Sequence, residues 1–280
     1  MEKLLFLVFT ALILGACSHQ TTRHVSQDRS CDFIPSKSQE RGPAGPFMYE
    51  VQNPNGHIVF IAANHGEEPN NKATFDLIRQ AFAKNKFQIV IVEGLENDEG
   101  VSPKNYIQDI ETGRRKRGEP AFTALEANMK GIEFIGGEIS DKNLLEYIQE
   151  NGFTHKDMAG FYILRSWTRD SSVKLGRLIE SKRFPVVGQF TSDRDFFNWF
   201  ENMYGRPLQE KDPHLSMPFQ NRKDRLQELA NQITWARDRF LAKVIKYSAQ
   251  NNPNVLIVYG SGHYLPQRCF MEKWFGKSGH

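Results

Sequence analysis

Apolar residues gather along this chain in four short continuous runs: "HIVFIAA" at 57–63, "FQIVIV" at 87–92, "IEFIGG" at 132–137 and "VLIVY" at 255–259. Short, β-branched runs closed by glycine or polar residues predict strands buried on both faces of a parallel sheet. Ahead of the first run, "FMYEV" at 47–51 is separated from it by Gln52-Asn53-Pro54-Asn55-Gly56, a turn signal that predicts a hairpin. Elsewhere the apolar positions recur at helical spacing. Helices are expected over 72–85, 103–112, 120–130, 140–150, 156–179, 192–204, 222–250 and 266–275, with Ser140 and Ser192 as caps. The stretch "FPVVGQF" at 184–190 reads as a short strand or loop, and residues 205–220, with three prolines, as a loop suited to a lid. Strands alternating with helices predict an α/β fold: a mainly parallel central sheet flanked by helices. Residues 46–280 are expected to form one domain, in which 140–250 is a largely helical insertion or cap.

The first 45 residues follow a different pattern. Lys3 precedes an apolar run at 4–14 that is too short to span a bilayer and reads as the core of a secretory signal. It ends in Leu14-Gly15-Ala16-Cys17, which looks like a bacterial lipobox. That likeness implies removal of residues 1–16 as a signal peptide and attachment of acyl chains to Cys17, with residues 17–45 as a lipidated tether and lead-in. Ser18 follows the cysteine, which by similarity to bacterial sorting favours the periplasmic face of the outer membrane. A plain signal or an uncleaved anchor is the other reading of the segment. Export changes the meaning of the remaining two of the three cysteines. In an oxidising compartment Cys31 and Cys269 are either a disulfide or two buried thiols.

Composition adds mainly exclusions. Over 280 residues the net charge is +3 and a quarter of the residues are charged. No basic block interleaved with aromatics stands out, so nucleic acid is not an expected partner. Partners are instead expected to be the membrane, through the lipid, and a small-molecule or peptide substrate.

Titratable residues recur at the carboxyl ends of the apolar runs. His65 follows the first, Glu93 the second, Glu138 the third and His263 the fourth. In open α/β sheets ligands bind outside the carboxyl ends of the strands. If the four strands are parallel neighbours, two imidazoles and two carboxylates meet on one rim, where they can ligate a divalent metal or divide acid and base roles. Each residue alone also has an ordinary reading, as a solvated loop acid or a structural histidine. In "ITWARDRFLAKVI" (233–245), Arg237 lies on the apolar stripe with Ile233, Phe240 and Leu241, and Asp238 on its edge. A guanidinium on a packing face requires an anion or carbonyl partner. Arg165 repeats the pattern after Phe161 and Tyr162.

In their order, these stretches resemble the TraB/PrgY–GumN–Tiki–ChaN–erythromycin esterase superfamily. The resemblance rests on "AANHGEE" (His65), "IVIVEG" (Glu93), "IGGE" (Glu138), "WARDRFLA" (Arg237, Asp238) and "GSGH" (His263), and runs from about residue 57 to 275. Ala62 departs from it, standing where the family usually has glycine. The resemblance implies a site at the strand ends. It also implies one of three chemistries: metal-dependent proteolysis, metal-free lactone hydrolysis or haem binding.

The expectation is therefore a lipid-anchored periplasmic hydrolase, divalent-metal-dependent, acting on a peptide, ester or lactone bond. His65, His263 and Glu138 are the expected ligands of Mn²⁺, Co²⁺ or Zn²⁺. Glu93, His65 and Arg237 are the expected catalytic groups, with Arg237 facing a carboxylate or developing oxyanion. The alternative is a ChaN-like lipoprotein that binds haem or iron without catalysis, for which Tyr264 is the candidate axial ligand.

Overall fold

The structure is a computed structural model that describes residues 30–31, 45–54, 56–67, 70–97, 102–114, 118–169, 175–180, 189–208 and 225–276. It is an α/β fold around one five-stranded sheet. Strands β1 (Phe47–Asn53) and β2 (Gly56–Ala63) form the expected hairpin, pairing antiparallel from Phe47↔Ala62 to Asn53↔Gly56. The other strands are β3 (Ile89–Glu96), β4 (Glu133–Glu138) and β5 (Asn254–Gly260). In space the order is β1-β2-β5-β3-β4. β5 enters the middle, parallel to β2 on one side and β3 on the other, while β4 runs parallel to β3 at the edge.

Alternate residues of each strand feed two separate cores, as the period of a pleated strand requires. Val59, Ile61, Val90, Val92, Leu256 and Val258 pack on one face. They meet helices α1 (Lys72–Lys84), α2 (Pro103–Glu111) and α3 (Glu119–Met129). Ile58, Phe60, Ile91, Val255, Ile257 and Tyr259 pack on the other. That face is covered by α4 (Asp141–Glu150), α5 (His155–Arg169), α6 (Leu175–Ile179), α7 (Asp193–Tyr204), α8 (Arg225–Asn251) and α9 (Tyr264–Phe275). Burial on both faces explains why the strands are continuously apolar rather than alternating.

Three helices start where a serine side chain closes the first turn. Ser102, Ser140 and Ser192 accept from the backbone N–H three residues on, at 3.3, 3.2 and 3.2 Å. Of the helix expected over 156–179, the described residues form α5 and α6. Residues 170–174 between them lie outside the described residues. Most of 184–190, most of the 205–220 loop, the signal segment and most of the lead-in lie outside the described residues. Among the described residues, no helix is long and apolar enough to cross a membrane. Cys31 and Cys269 are joined in a disulfide with Cα atoms 5.6 Å apart, tying the lead-in to the middle of α9.

Candidate active site

The strand order makes β2, β5, β3 and β4 four parallel neighbours, so their carboxyl ends share one rim. The crossover from β2 through α1 to β3 skips the place that β5 later takes. It leaves the crevice where α/β sheets bind ligands.

Each strand end delivers its residue differently. His65 lies two residues beyond β2, in a segment anchored from α1: Asn64 N–H donates to Thr74 Oγ1 at 3.2 Å, and the Asn71 side-chain amide donates to the Asn64 carbonyl. Glu93 does not follow its strand, as the apolar run alone suggested, but lies inside β3. Pairing with β4 holds through Val92↔Gly136 and resumes only at Glu96↔Glu138. Gly94 takes φ +73° within this irregularity, a conformation that side chains with a Cβ disfavour. The bulge turns Glu93 toward β5, where its Oε2 accepts the Gly260 N–H at 2.7 Å. Glu138 is the last residue of β4, and His263 closes a 3₁₀ turn, Ser261–His263, that leads into α9.

Two carboxylate–histidine pairs result. His65 Nδ1–H donates to Glu119 Oε1 at 2.5 Å, and Gly66 N–H donates to Glu119 Oε2 at 3.2 Å. His263 Nδ1–H donates to Asp238 Oδ1 at 2.6 Å, and Gln267 Nε2 donates to the Asp238 carbonyl at 2.9 Å. Both rings therefore turn Nε2 toward Glu93. His65 Nε2 is 3.9 Å from Glu93 Oε2, and His263 Nε2 is 4.0 Å from Glu93 Oε1. Gly260 makes room for the first approach, since a Cβ there would stand 2.7 Å from His65 Nε2. The pairs differ in exposure: the His65 side chain is 66% exposed and that of His263 13%.

Behind Glu93 lies a partly buried charge cluster. Arg237 grips Glu138 with two bonds, Nε to Oε2 at 2.9 Å and Nη2 to Oε1 at 2.7 Å. The Tyr259 hydroxyl donates to Glu138 Oε1 at 2.6 Å, and Arg237 Nη2 reaches within 3.6 Å of Glu93 Oε1. Burial works against the Glu138 charge, but the Arg237 guanidinium and the bonds from Arg237 and Tyr259 overcome it and hold the carboxyl at about 2. Burial beside that carboxylate pushes the Tyr259 hydroxyl well above its ordinary range. Burial also disfavours the His263 cation, yet the charge and hydrogen bond of Asp238 outweigh it and the pKa is raised. For His65 the bond to Glu119 is the main cause of a raised pKa, opposed by partial burial and helped by the charge of Glu93.

This geometry revises three assignments. Glu138, an expected metal ligand, is engaged by Arg237 and Tyr259, and among the described residues it is not in the group with metal-ligand spacing. Arg237 was expected to meet a substrate carboxylate or oxyanion, but its guanidinium is committed to Glu138 and lies close to Glu93. Tyr264 cannot serve as an exposed axial ligand. It is buried among Phe47, Tyr49 and Phe60, with the ring centroids of the first two 4.6 and 5.4 Å away. Arg165 lies on α5 where, with Arg237, its charge acts on the Tyr162 hydroxyl. His65, Glu93, Arg237 and His263 do converge. Among the described residues, the group with metal-ligand spacing is His65, Glu93 and Glu119, whose donor atoms lie within 4.8 Å of one another.

Glu119 and Tyr259 are the members that the strand-end pattern missed. Glu119 is the first residue of α3 and is 3% exposed. Its sequence signal was Gly118-Glu119-Pro120, a Gly-Glu step like Gly137-Glu138, but at a helix start rather than a strand end. Tyr259 reads as one more apolar residue of β5, and only its neighbours show that its hydroxyl is used. Compared with family models, curated proteins and solved structures, the chain matches none.

Proposed function

We propose that the protein is a hydrolase that activates water between His65 and Glu93 for attack on an ester, lactone or peptide carbonyl. One observation carries this reading: the Nε2 atoms of two histidines, each held at Nδ1 by a carboxylate, flank the two oxygens of Glu93 at 3.9 and 4.0 Å. Those separations are too long for direct hydrogen bonds and suit bridging by one water. Glu119 fixes the His65 tautomer with its proton on Nδ1, leaving Nε2 to accept a proton from the water. The bond to Glu119 raises the pKa of His65 and so makes Nε2 a stronger base. Glu93, pinned by the Gly260 N–H, orients the water. His263, whose protonated form is favoured by the charge and hydrogen bond of Asp238, gives a proton to the leaving group. Arg237 and Glu138 are positioning residues that fix the charge balance behind Glu93.

A divalent ion is a second reading, favoured by the His65, Glu93 and Glu119 spacing. An imidazole nitrogen and a carboxylate oxygen suit Zn²⁺, Mn²⁺ or Co²⁺. His65 Nε2 and Glu93 would be the direct donors, with Glu119 at the other ring nitrogen in the supporting role common behind ligating histidines. When bound there, the ion would polarise the carbonyl and lower the pKa of water. The fold region and strand-end motifs that resemble the TraB/Tiki/erythromycin esterase group support hydrolysis in either form. The lipobox-like Cys17 supports a lipid-anchored periplasmic enzyme.

The test is a panel of chromogenic esters, lactones and peptides assayed before and after chelation, with Mn²⁺, Co²⁺ and Zn²⁺ added back. Turnover is expected to fall at least a hundredfold in His65→Ala and Glu93→Gln. Loss on chelation and recovery with one ion supports the metal form. Full turnover in both variants rejects the site, and a stoichiometric Soret band on haemin titration without any turnover supports the haem-binding alternative.

A further inference from the structure

The C-terminal halves of α8 and α9 lie side by side on the outer surface and share an unusual composition. Lys246 Nζ lies 5.1 Å over the Trp274 ring, and Lys273 Nζ donates to Ser30 Oγ at 2.9 Å. Trp274 packs on Phe270, Ala242 and Cys31 while remaining partly exposed. Tyr247, next to Lys246, is 71% exposed, the most exposed large hydrophobic side chain among the described residues. Half-buried Lys243 lies one helical turn from Tyr247 on the same face. No Asp or Glu occurs in residues 239–251. The one acid of α9, Glu272, already accepts from Tyr49 and Arg268.

This face is far from the rim. Asp238 of α8 holds His263, and Tyr247 is nine residues further along, about 14 Å at 1.5 Å per residue. On α9 the path from Tyr264, beside His263, to Trp274 is similar, about 15 Å. The end of α8 meets the opposite end of the sheet, where Asn53 Nδ2 donates to the Ala249 carbonyl at 2.7 Å. The disulfide brings the lead-in to the same face at Cys31. From Cys17 to Cys31 there are fourteen residues, which fully extended span at most roughly 50 Å.

We propose that this lysine–tryptophan–tyrosine face docks on an anionic lipid surface, so that the candidate active site is held pointing away from the bilayer. Partly exposed Trp and Tyr beside lysines are the side chains that settle at lipid headgroups, and the short leash from a lipidated Cys17 ends on this face. The proposal rests on the reading of Cys17 as the lipid attachment point. It also narrows the substrate class to molecules reached from the aqueous side, not headgroups of the anchoring leaflet.

The test uses the mature protein extracted from membranes, with the mass of its N-terminal peptide recorded. It is reconstituted into phosphatidylethanolamine–phosphatidylglycerol vesicles, in matched sets with plain or brominated acyl chains. Of the four tryptophans, only Trp274 is expected to be quenched by bromine. Trp274→Phe should abolish the difference between the two sets, and the combined Lys243→Glu, Lys246→Glu, Lys273→Glu variant should reduce it at least threefold. Absent quenching, or quenching that survives Trp274→Phe, overturns the proposal. So does cross-linking of this face to a second copy in detergent and vesicles alike. An N-terminal peptide without acyl chains removes the anchor and the proposal with it. None of these readouts uses turnover, so they stand apart from the fate of the hydrolase reading.

Discussion

The two halves of the rim use the same parts for different ends. On one side, Glu119 holds His65, whose ring is largely open to solvent; on the other, Asp238 holds His263, whose ring is nearly enclosed. Both present Nε2 to Glu93. Only the enclosed half is built into the charge cluster of Arg237, Glu138 and Tyr259. The difference teaches that a carboxylate–histidine pair is not one kind of feature. Where the ring is enclosed the pair is also tied into the fold, and where it is open the ring faces solvent.

The comparison breaks hardest at Glu138. Glu138→Ala leaves the Arg237 guanidinium without its bidentate partner, and the expected loss is about 3–5 kcal/mol, read by urea unfolding. A loss below about 1 kcal/mol would mean that the enclosed half is not a structural unit. The next test sets the two pairs directly against each other. Asp238→Ala should cost about 2 kcal/mol or more, because it strips a buried histidine of its acceptor. His65→Ala should cost less, about 1 kcal/mol, because Glu119 keeps the bond from the Gly66 N–H, while abolishing turnover. Equal destabilisation by the two substitutions would erase the distinction.

Acid and base should act on the enclosed half from opposite sides. The Glu138 pKa is lowered from 4.5 to about 2 on folding. Its contribution is therefore present above pH 4.5 and lost as pH falls toward 2. The His263 pKa is raised above 6.5, so its contribution is full below pH 6.5 and lost as pH rises through the folded value. Urea midpoints measured across pH should fall at both ends, and His263→Asn should shrink the alkaline limb more than the acid one, leaving the part that the raised pKa of His65 contributes. An unchanged alkaline limb in that variant would place its cause elsewhere. The smallest expected stability change is at Gly260. In Gly260→Ala the new Cβ meets the His65 ring, which can swing outward because it is exposed. Unfolding should shift by no more than about 1 kcal/mol while turnover drops, since the ring leaves Glu93. Unaltered turnover would show that the 3.9 Å approach is not needed.

Much of the frame was legible from periodicity. The hairpin, the four apolar strands, the serine caps at Ser140 and Ser192 and the inward Arg237 all follow from side-chain spacing, which is a local property. Glu93 shows where that stops. Its place inside β3 depends on a bulge opposite β4, and the bulge on pairing between segments about 40 residues apart in sequence. Glu119 was invisible for a similar reason: an acid opening a helix is ordinary until a histidine from another strand is placed against it.

By itself, then, the sequence determined that four buried strands each carry a His or Glu at or near the carboxyl end, and that Cys31 and Cys269 were available to pair. Tertiary structure alone decided that β5 inserts between β2 and β3, that Glu119 and Asp238 hold the two rings, and that Arg237 withdraws Glu138 from the rim. Periodicity records which face of an element is buried. It does not record which element lies against that face, and hydrogen bonds and ion pairs form only once chain closure over long separations has brought the donors and acceptors to within about 3 Å.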